Sequence, residues 1–243
     1  MKETEELKQY GIDELMTELG QMINDIKQKK SAIPADEFIG DARHVAFSAM
    51  QTVLTPILFS LQCINFTADN TDREKLGSAF NMPTQKLTYL HDNLTKSTLI
   101  VFFHFKVENL FKNILLGLDP NYKGRQFENI TSDLFNSITI GDKDIKKDCI
   151  KILSCLRNGF HNNGVHRNAD FTSTLDGTTF EFKRGEVIKS EIFIIIKLLK
   201  TILTIVFDII NAPEVFTLPA PIIDQMNTKY ILPTDDDFLN RDL

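Results

Sequence analysis

Two stretches of this chain are apolar on almost every helical face, and they dictate most of what it can become. One is LIVFFHFKVENLFKNILLGL, the later part of a helical pattern running from Thr84 to Leu118. The other is the Ile192–Ile210 run, dominated by FIIIKLLKTILTIVFDII. A helix with no broad polar face is stable in water only when neighbours cover it on most sides. Two of them call for several more helices and one large shared core. Lys197, Lys200 and Asp208 interrupt the second run, which falls short of the roughly 20 uninterrupted apolar residues that a bilayer span requires. It reads as a core or oligomer-interface helix, and no membrane partner is expected.

The remaining pattern supplies the covering helices. Leu7, Ile12, Leu15, Leu19, Met22, Ile23 and Ile26 recur at helical spacing across residues 4–30. SAIPADEFIGD breaks that helix, and a second runs from about Ala42 to Cys63 with Pro56 as a kink. After the polar loop NFTADNTDRE, helical pattern resumes at Lys75–Phe80 and then over Thr84–Leu118, which stops at Asp119-Pro120. Within the latter, His104, Glu108 and Lys112 form a polar stripe at i, i+4 and i+8. A shorter helix is expected near Ile130–Ser137. Another spans Asp142 to about Asn162, capped by Asp142, with Ile145, Cys149, Ile152, Leu153, Leu156 and Phe160 on its apolar face. The period then changes to two. Phe171–Ser173 and Thr178–Phe182 read as strands around the hairpin dipeptide Asp176-Gly177. A last helix spans about Val187–Asn211. Beyond it the chain is Pro-punctuated and ends in an acidic DDDFLNRDL tail, expected to be mobile. The expected fold is mainly α: a bundle with a small β-hairpin inserted before the last long helix.

Composition narrows the function classes. The 243 residues carry 27 Lys+Arg against 33 Asp+Glu, a net charge of -6, which disfavours sequence-blind gripping of duplex nucleic acid. Three cysteines without paired close spacing fit neither a disulfide framework nor a zinc ribbon. MKETEELKQYG lacks an apolar signal region, so a reducing cytoplasm is expected and the three Asn-x-Ser/Thr sequons are taken as chance. There is no GxxxxGK[ST], no GxGxxG after a strand and no HExxH, and the five histidines make no convincing ligand set. No metal and no cofactor is expected.

The chemistry is concentrated in Leu156-Arg157-Asn158-Gly159-Phe160-His161-Asn162-Asn163-Gly164-Val165-His166-Arg167-Asn168, where an apolar helix ends. Arg157 and His161 stack one turn apart, about 40° apart around the helix. Asn158 flanks them, Asn162 continues the same edge, and Gly164 lets the helix stop before His166. A guanidinium offers a planar fork to two phosphate oxygens, and an imidazole moves protons near neutral pH. The structural alternative is a helix stop in which Asn-Asn-Gly terminates the backbone and Arg157 pairs with Glu108. Lys146, Lys147 and Lys151 lie on the same helix. Residues 142–157 hold five basic against three acidic residues, a local +2 within an acidic chain. Those lysines read either as an RNA-binding patch or as an ordinary solvated face.

Arg-Asn-Gly-Phe-His-Asn-Asn-Gly-Val-His on the penultimate long helix resembles the motif of the HEPN superfamily. So does the preceding long helix with Glu108-Asn109 inside an apolar run. The resemblance covers about residues 84–211. It implies an up-and-down bundle over residues 81–212, preceded by a helical extension (1–80) and followed by an irregular tail (213–243). It also implies a homodimer with motif helices face to face, and often a metal-independent endoribonuclease of toxin–antitoxin or antiphage systems, with an antitoxin or regulatory protein as partner. Arg157, Asn158, His161 and His166 would then be catalytic, and Lys146, Lys147, Lys151 and Asn162 would hold RNA. The family's His follows the Arg and polar pair after four to six intervening residues. Here His161 comes after three and His166 after eight, and Asn162 holds the position that four would give. Two classes stay open beside the enzyme: a non-catalytic scaffold binding RNA or protein, and an interaction protein docking through its N-terminal helix.

Overall fold

A computed structural model describes residues 2–33, 40–66, 75, 77–188 and 190–224. Its elements are α1 (Lys2–Ser31), α2 (Ala42–Phe66), α3 (Thr84–Leu118), α4 (Phe127–Ser137), α5 (Lys143–His161), β1 (Phe171–Leu175), β2 (Thr178–Phe182), α6 (Ile192–Ile210) and α7 (Pro213–Phe216). The protein is mainly helical with a small two-stranded antiparallel sheet. Of the expected loop at 65–74, Asn65 and Phe66 instead complete α2, and the rest lies outside the described residues, as do the acidic tail and part of the Lys75–Phe80 pattern.

The two apolar helices take the central places their composition demands. α3 packs against α2, α4, α5, α6 and α7, while α6 is covered by α1, α3 and α5. One buried apolar cluster runs from Leu15 in α1 to Ile222 beyond α7, through Phe47, Phe103, Phe111, Phe135, Leu153 and Ile202. The lysines of α6 are anchored rather than left to solvent. Lys200 pairs with Glu18 and Lys197 donates to the Asp176 carbonyl at 2.8 Å. By length and composition, the described helix suited to crossing a membrane is Ala42–Cys63 within α2, of which 33% is buried here. That differs from the sequence expectation, which placed the most membrane-like run at Ile192–Ile210.

Local geometry corrects several expected details. Asp142 does precede α5, but it sits at φ 53° and its side chain makes no capping bond. A capping residue needs extended backbone to aim its carboxylate at the first turn; from the left-handed region only the Asp142 carbonyl serves, accepting from Lys146 N–H at 3.0 Å. Asp176 (φ 46°) and Gly177 (φ 77°) both take positive φ, the type I′ geometry that matches strand twist. The pairing Leu175↔Thr178 closes around them, so β1 extends two residues past the expected Ser173.

Residues 213–224 are not loose. Val215 and Ile222 are buried, and Ala42 N–H donates to Ile222 O at 2.8 Å. Arg43 grips Asp41 through Nε (2.9 Å) and Nη2 (2.8 Å), with the pair 4% and 0% exposed, while Ile222 N–H donates to Asp41 at 3.0 Å. Burial alone would raise the Asp41 pKa; the hydrogen bonds from Arg43 and Ile222 override it and hold the carboxyl below its ordinary value. Asp224 accepts from Asn109 (2.9 Å) and Asn113 (3.3 Å), fastening the segment to α3.

Candidate functional site

The end of α5 is shaped by tertiary contact as much as by its own sequence. Asn162 N–H reaches back to Asn158 and Gly159 carbonyls at 3.0 Å, and Gly164 N–H reaches Gly159 O at 2.8 Å. Asn163 (φ 56°) and Gly164 (φ 85°) make the left-handed reversal, a Schellman-type stop. The chain then pairs with the segment before α6: Ile188 N–H donates to Gly164 O at 2.8 Å and His166 N–H to Glu186 O at 2.9 Å. This pairing lays Ile188 across α5, where a Cβ on Gly159 would stand 2.1 Å from Ile188 Cδ1. Gly159 is therefore what allows the motif's exit to pack, a role the sequence alone did not signal.

Arg157 and Asn158 are half-buried, and the Arg157 guanidinium donates from Nη1 to Asn158 Oδ1 at 2.9 Å. The guanidinium lies within electrostatic reach of the polar stripe of α3. Glu108 and His104 both feel its charge, yet Arg157 and Glu108 form no ion pair within 4.0 Å. The simple buried pair weighed from sequence is not formed. Burial raises the Glu108 pKa, while Arg157 and Lys112 pull it down, leaving it above its ordinary value. Burial, then the Arg157 charge, push His104 down to about 4. Its Nδ1 stands 3.7 Å from Glu108 Oε2, but an imidazole with that pKa is neutral at pH 7, so the contact is not an ion pair. The His104 ring leans on Phe127 with centroids 4.3 Å apart.

The two candidate histidines have different fates. His161 is exposed at the helix end, one turn beyond Arg157. His166 is 1% exposed, its ring is tilted against Phe182 with centroids 5.5 Å apart, and its Nε2 lies 2.9 Å from Ala169 O. A carbonyl only accepts, so Nε2 carries the proton, and Nδ1 is buried with no hydrogen-bond partner. In this conformation His166 holds the 166–169 loop and does not meet solvent.

The lysines also separate. Lys146 turns to α6 and pairs with Asp208 at 2.8 Å. Lys147 and Lys151 instead line a cavity of about 490 Å³ between α4, α5 and residues 168–170. Lys151 Nζ sits 4.4 Å over the Phe171 ring. Asn162 is half-buried and serves mainly through its backbone as the helix stop. Phe127, Thr131 and Ser154, brought to the same cavity as Asn168 from separate elements, had no signature in the sequence. Burial pushes the thiols of Cys149 and Cys155 up to about 11, so neither is a thiolate nucleophile at neutral pH. Among the described residues no group of three His, Cys, Asp or Glu side chains is placed to hold a metal ion. No protein-family model, curated protein or solved structure matches this chain.

Proposed function

We propose that this chain is a HEPN-like, metal-independent endoribonuclease that cleaves single-stranded RNA by attack of a ribose 2′-hydroxyl. One observation carries the reading: Arg157 is held by Asn158, keeps out of an ion pair with Glu108, and shares the helix end with an exposed His161. In the reaction the 2′-oxygen bonds to phosphorus while the bond from phosphorus to the 5′-oxygen breaks. His161 takes the 2′-hydroxyl proton, and a protonated imidazole returns one to the departing 5′-oxygen. Arg157 stabilises the charge that builds on the phosphoryl oxygens between these events. The products are a 2′,3′-cyclic phosphate and a 5′-hydroxyl. A homodimer pairing the motif helices would supply the second His161. Such an enzyme suits a toxin or antiphage effector of the cytoplasm, restrained by an antitoxin or regulatory protein.

The sealing of His166 favours the competing reading, a non-catalytic HEPN-like scaffold for RNA or protein, because it leaves His161 as the one exposed imidazole of the motif. One assay separates the two. Purified protein is incubated with mixed single-stranded RNA in EDTA beside His161→Ala, and the product ends are analysed. Cyclic-phosphate ends made by wild type and lost in His161→Ala support the enzyme. Intact RNA in both samples, with RNA still bound, supports the scaffold.

A further inference from the structure

We infer that the cavity between α4, α5 and residues 168–170 is a nucleoside subsite, taking the base and ribose next to the phosphodiester held at Arg157. The inference deepens the ribonuclease reading and rests on it for the source of the nucleoside, though not for the binding itself. At about 490 Å³ the cavity falls within the roughly 300–1,000 Å³ that small-molecule sites span.

Charge decides what kind of group fits. Lys147 and Lys151 face Glu128, Asp148 and Asp170, leaving the lining with one net negative charge. A phosphate dianion is therefore a poor occupant, and the phosphate belongs outside, at Arg157. A neutral heterocycle with hydroxyl and amine donors suits the carboxylates, while the lysines serve its acceptors. Phe127 gives the wall an aromatic ring, and stacking on such a ring tolerates every base.

Thr131 adds an independent pointer. It is 7% exposed, lines the cavity, and its Oγ1 has no hydrogen-bond partner. Buried hydroxyls are normally satisfied, and each orphan calls for an explanation. A helical threonine has two accessible χ1 wells, so its hydroxyl can turn toward an occupant that offers a partner.

The cavity also lies along a face of α5 that leads to the motif. Lys147, Lys151, Ser154 and Asn158 recur at i, i+4, i+7 and i+11, one face of α5. Ser154 lines the cavity; Asn158, one turn on, is the residue that holds Arg157. The two are about 6 Å apart along the helix axis, within reach of one nucleotide. A strand laid along that face puts a base in the cavity and its phosphodiester at the guanidinium.

The test uses the full chain carrying His161→Ala, so that RNA stays intact and the Arg157 fork is kept. Adenosine, cytidine and their 5′-monophosphates are titrated by saturation-transfer NMR, then challenged with an eight-nucleotide single-stranded RNA. Saturable nucleoside binding is expected, weakened about tenfold by the isosteric Thr131→Val, the loss of roughly one hydrogen bond. Ser154→Tyr, at a half-buried position, should abolish it by filling the cavity. Competition by the oligonucleotide assigns the nucleoside to an RNA strand. Absence of competition assigns it to a free nucleotide, and the subsite stands even if wild type cleaves no RNA. No nucleoside binding up to millimolar concentration, or binding that Ser154→Tyr leaves intact, overturns the subsite, whether or not wild type cleaves.

Discussion

Two arginines in this molecule sit near carboxylates, and their surroundings give them opposite roles. Arg43 is sealed, bonds Asp41 through two nitrogens, and its Nη1 reaches the Val215 carbonyl at 3.5 Å. Arg157 is half-buried, donates one hydrogen bond to Asn158, and stays out of an ion pair with Glu108. A guanidinium has five N–H donors in a fixed fork. At Arg43 the fork is committed to gripping Asp41 and reaching α7. At Arg157 most of it is left for another anion. Residue type is the same in both places; what differs is whether the fold has already used the donors.

The largest effect should come from breaking the committed arginine. Arg43→Ala leaves the Asp41 carboxylate buried and unpaired, and a loss of about 3–5 kcal/mol in urea unfolding is expected. A loss below about 1 kcal/mol would mean that the pair is not the clamp described.

Acid should act on the two regions in separate pH windows. His104, near Arg157, has its folded pKa depressed from 6.5 to about 4. Below 6.5 the unfolded chain takes up a proton that the folded chain refuses, so stability falls as pH drops from 6.5 toward 4, by about 3 kcal/mol. The raised pKa of Glu108 works the other way and offsets part of this loss. Asp41, with a lowered pKa, loses its contribution only below its ordinary 3.8. Urea unfolding at pH 7 and pH 4 should show a steep loss in wild type and a shallower one in His104→Gln. Equal slopes would remove His104 from the account.

The difference between the two arginines was only partly legible in the sequence. Arg157, Asn158 and His161 lie within five residues on one helix, so their stacking follows from helical pitch alone. Thr84–Leu118 likewise declared itself through its apolar faces and its Pro120 stop. The Arg43–Asp41 clamp gave no sign, because Val215, which Arg43 reaches, is 172 residues away and Ile222, which donates to Asp41, is 181 residues away. The sealing of His166 depends on Phe182 and the 166–169 loop, and the cavity depends on residues from 127 to 170; no local spacing encodes such contacts. Asp142 misled for a local reason, since capping residues are recognised by type while a left-handed φ is set by the turn that precedes the helix.

A smaller perturbation sharpens the motif's geometry. Gly159→Ala pushes a methyl group into Ile188 and should cost about 1–3 kcal/mol. Adding Ile188→Ala should recover part of that loss in a double-mutant cycle; strictly additive losses would deny the contact. The smallest effect is expected at Lys146. Its pair with Asp208 is partly exposed and contributes about 1 kcal/mol or less, so Lys146→Ala should leave RNA affinity unchanged while Lys151→Ala weakens it. The reverse order would relocate the RNA track to the α6 side of α5.

The most direct test of the contrast is the rate of single-stranded RNA cleavage in EDTA by Arg157→Ala relative to wild type, with the unfolding midpoint measured on the same samples. An arginine reserved for the transition state predicts a rate lower by about 10²–10³-fold and a stability within about 1 kcal/mol of wild type. An unchanged rate, or a large loss of stability like that expected for Arg43→Ala, would show that Arg157 too is spent on the fold.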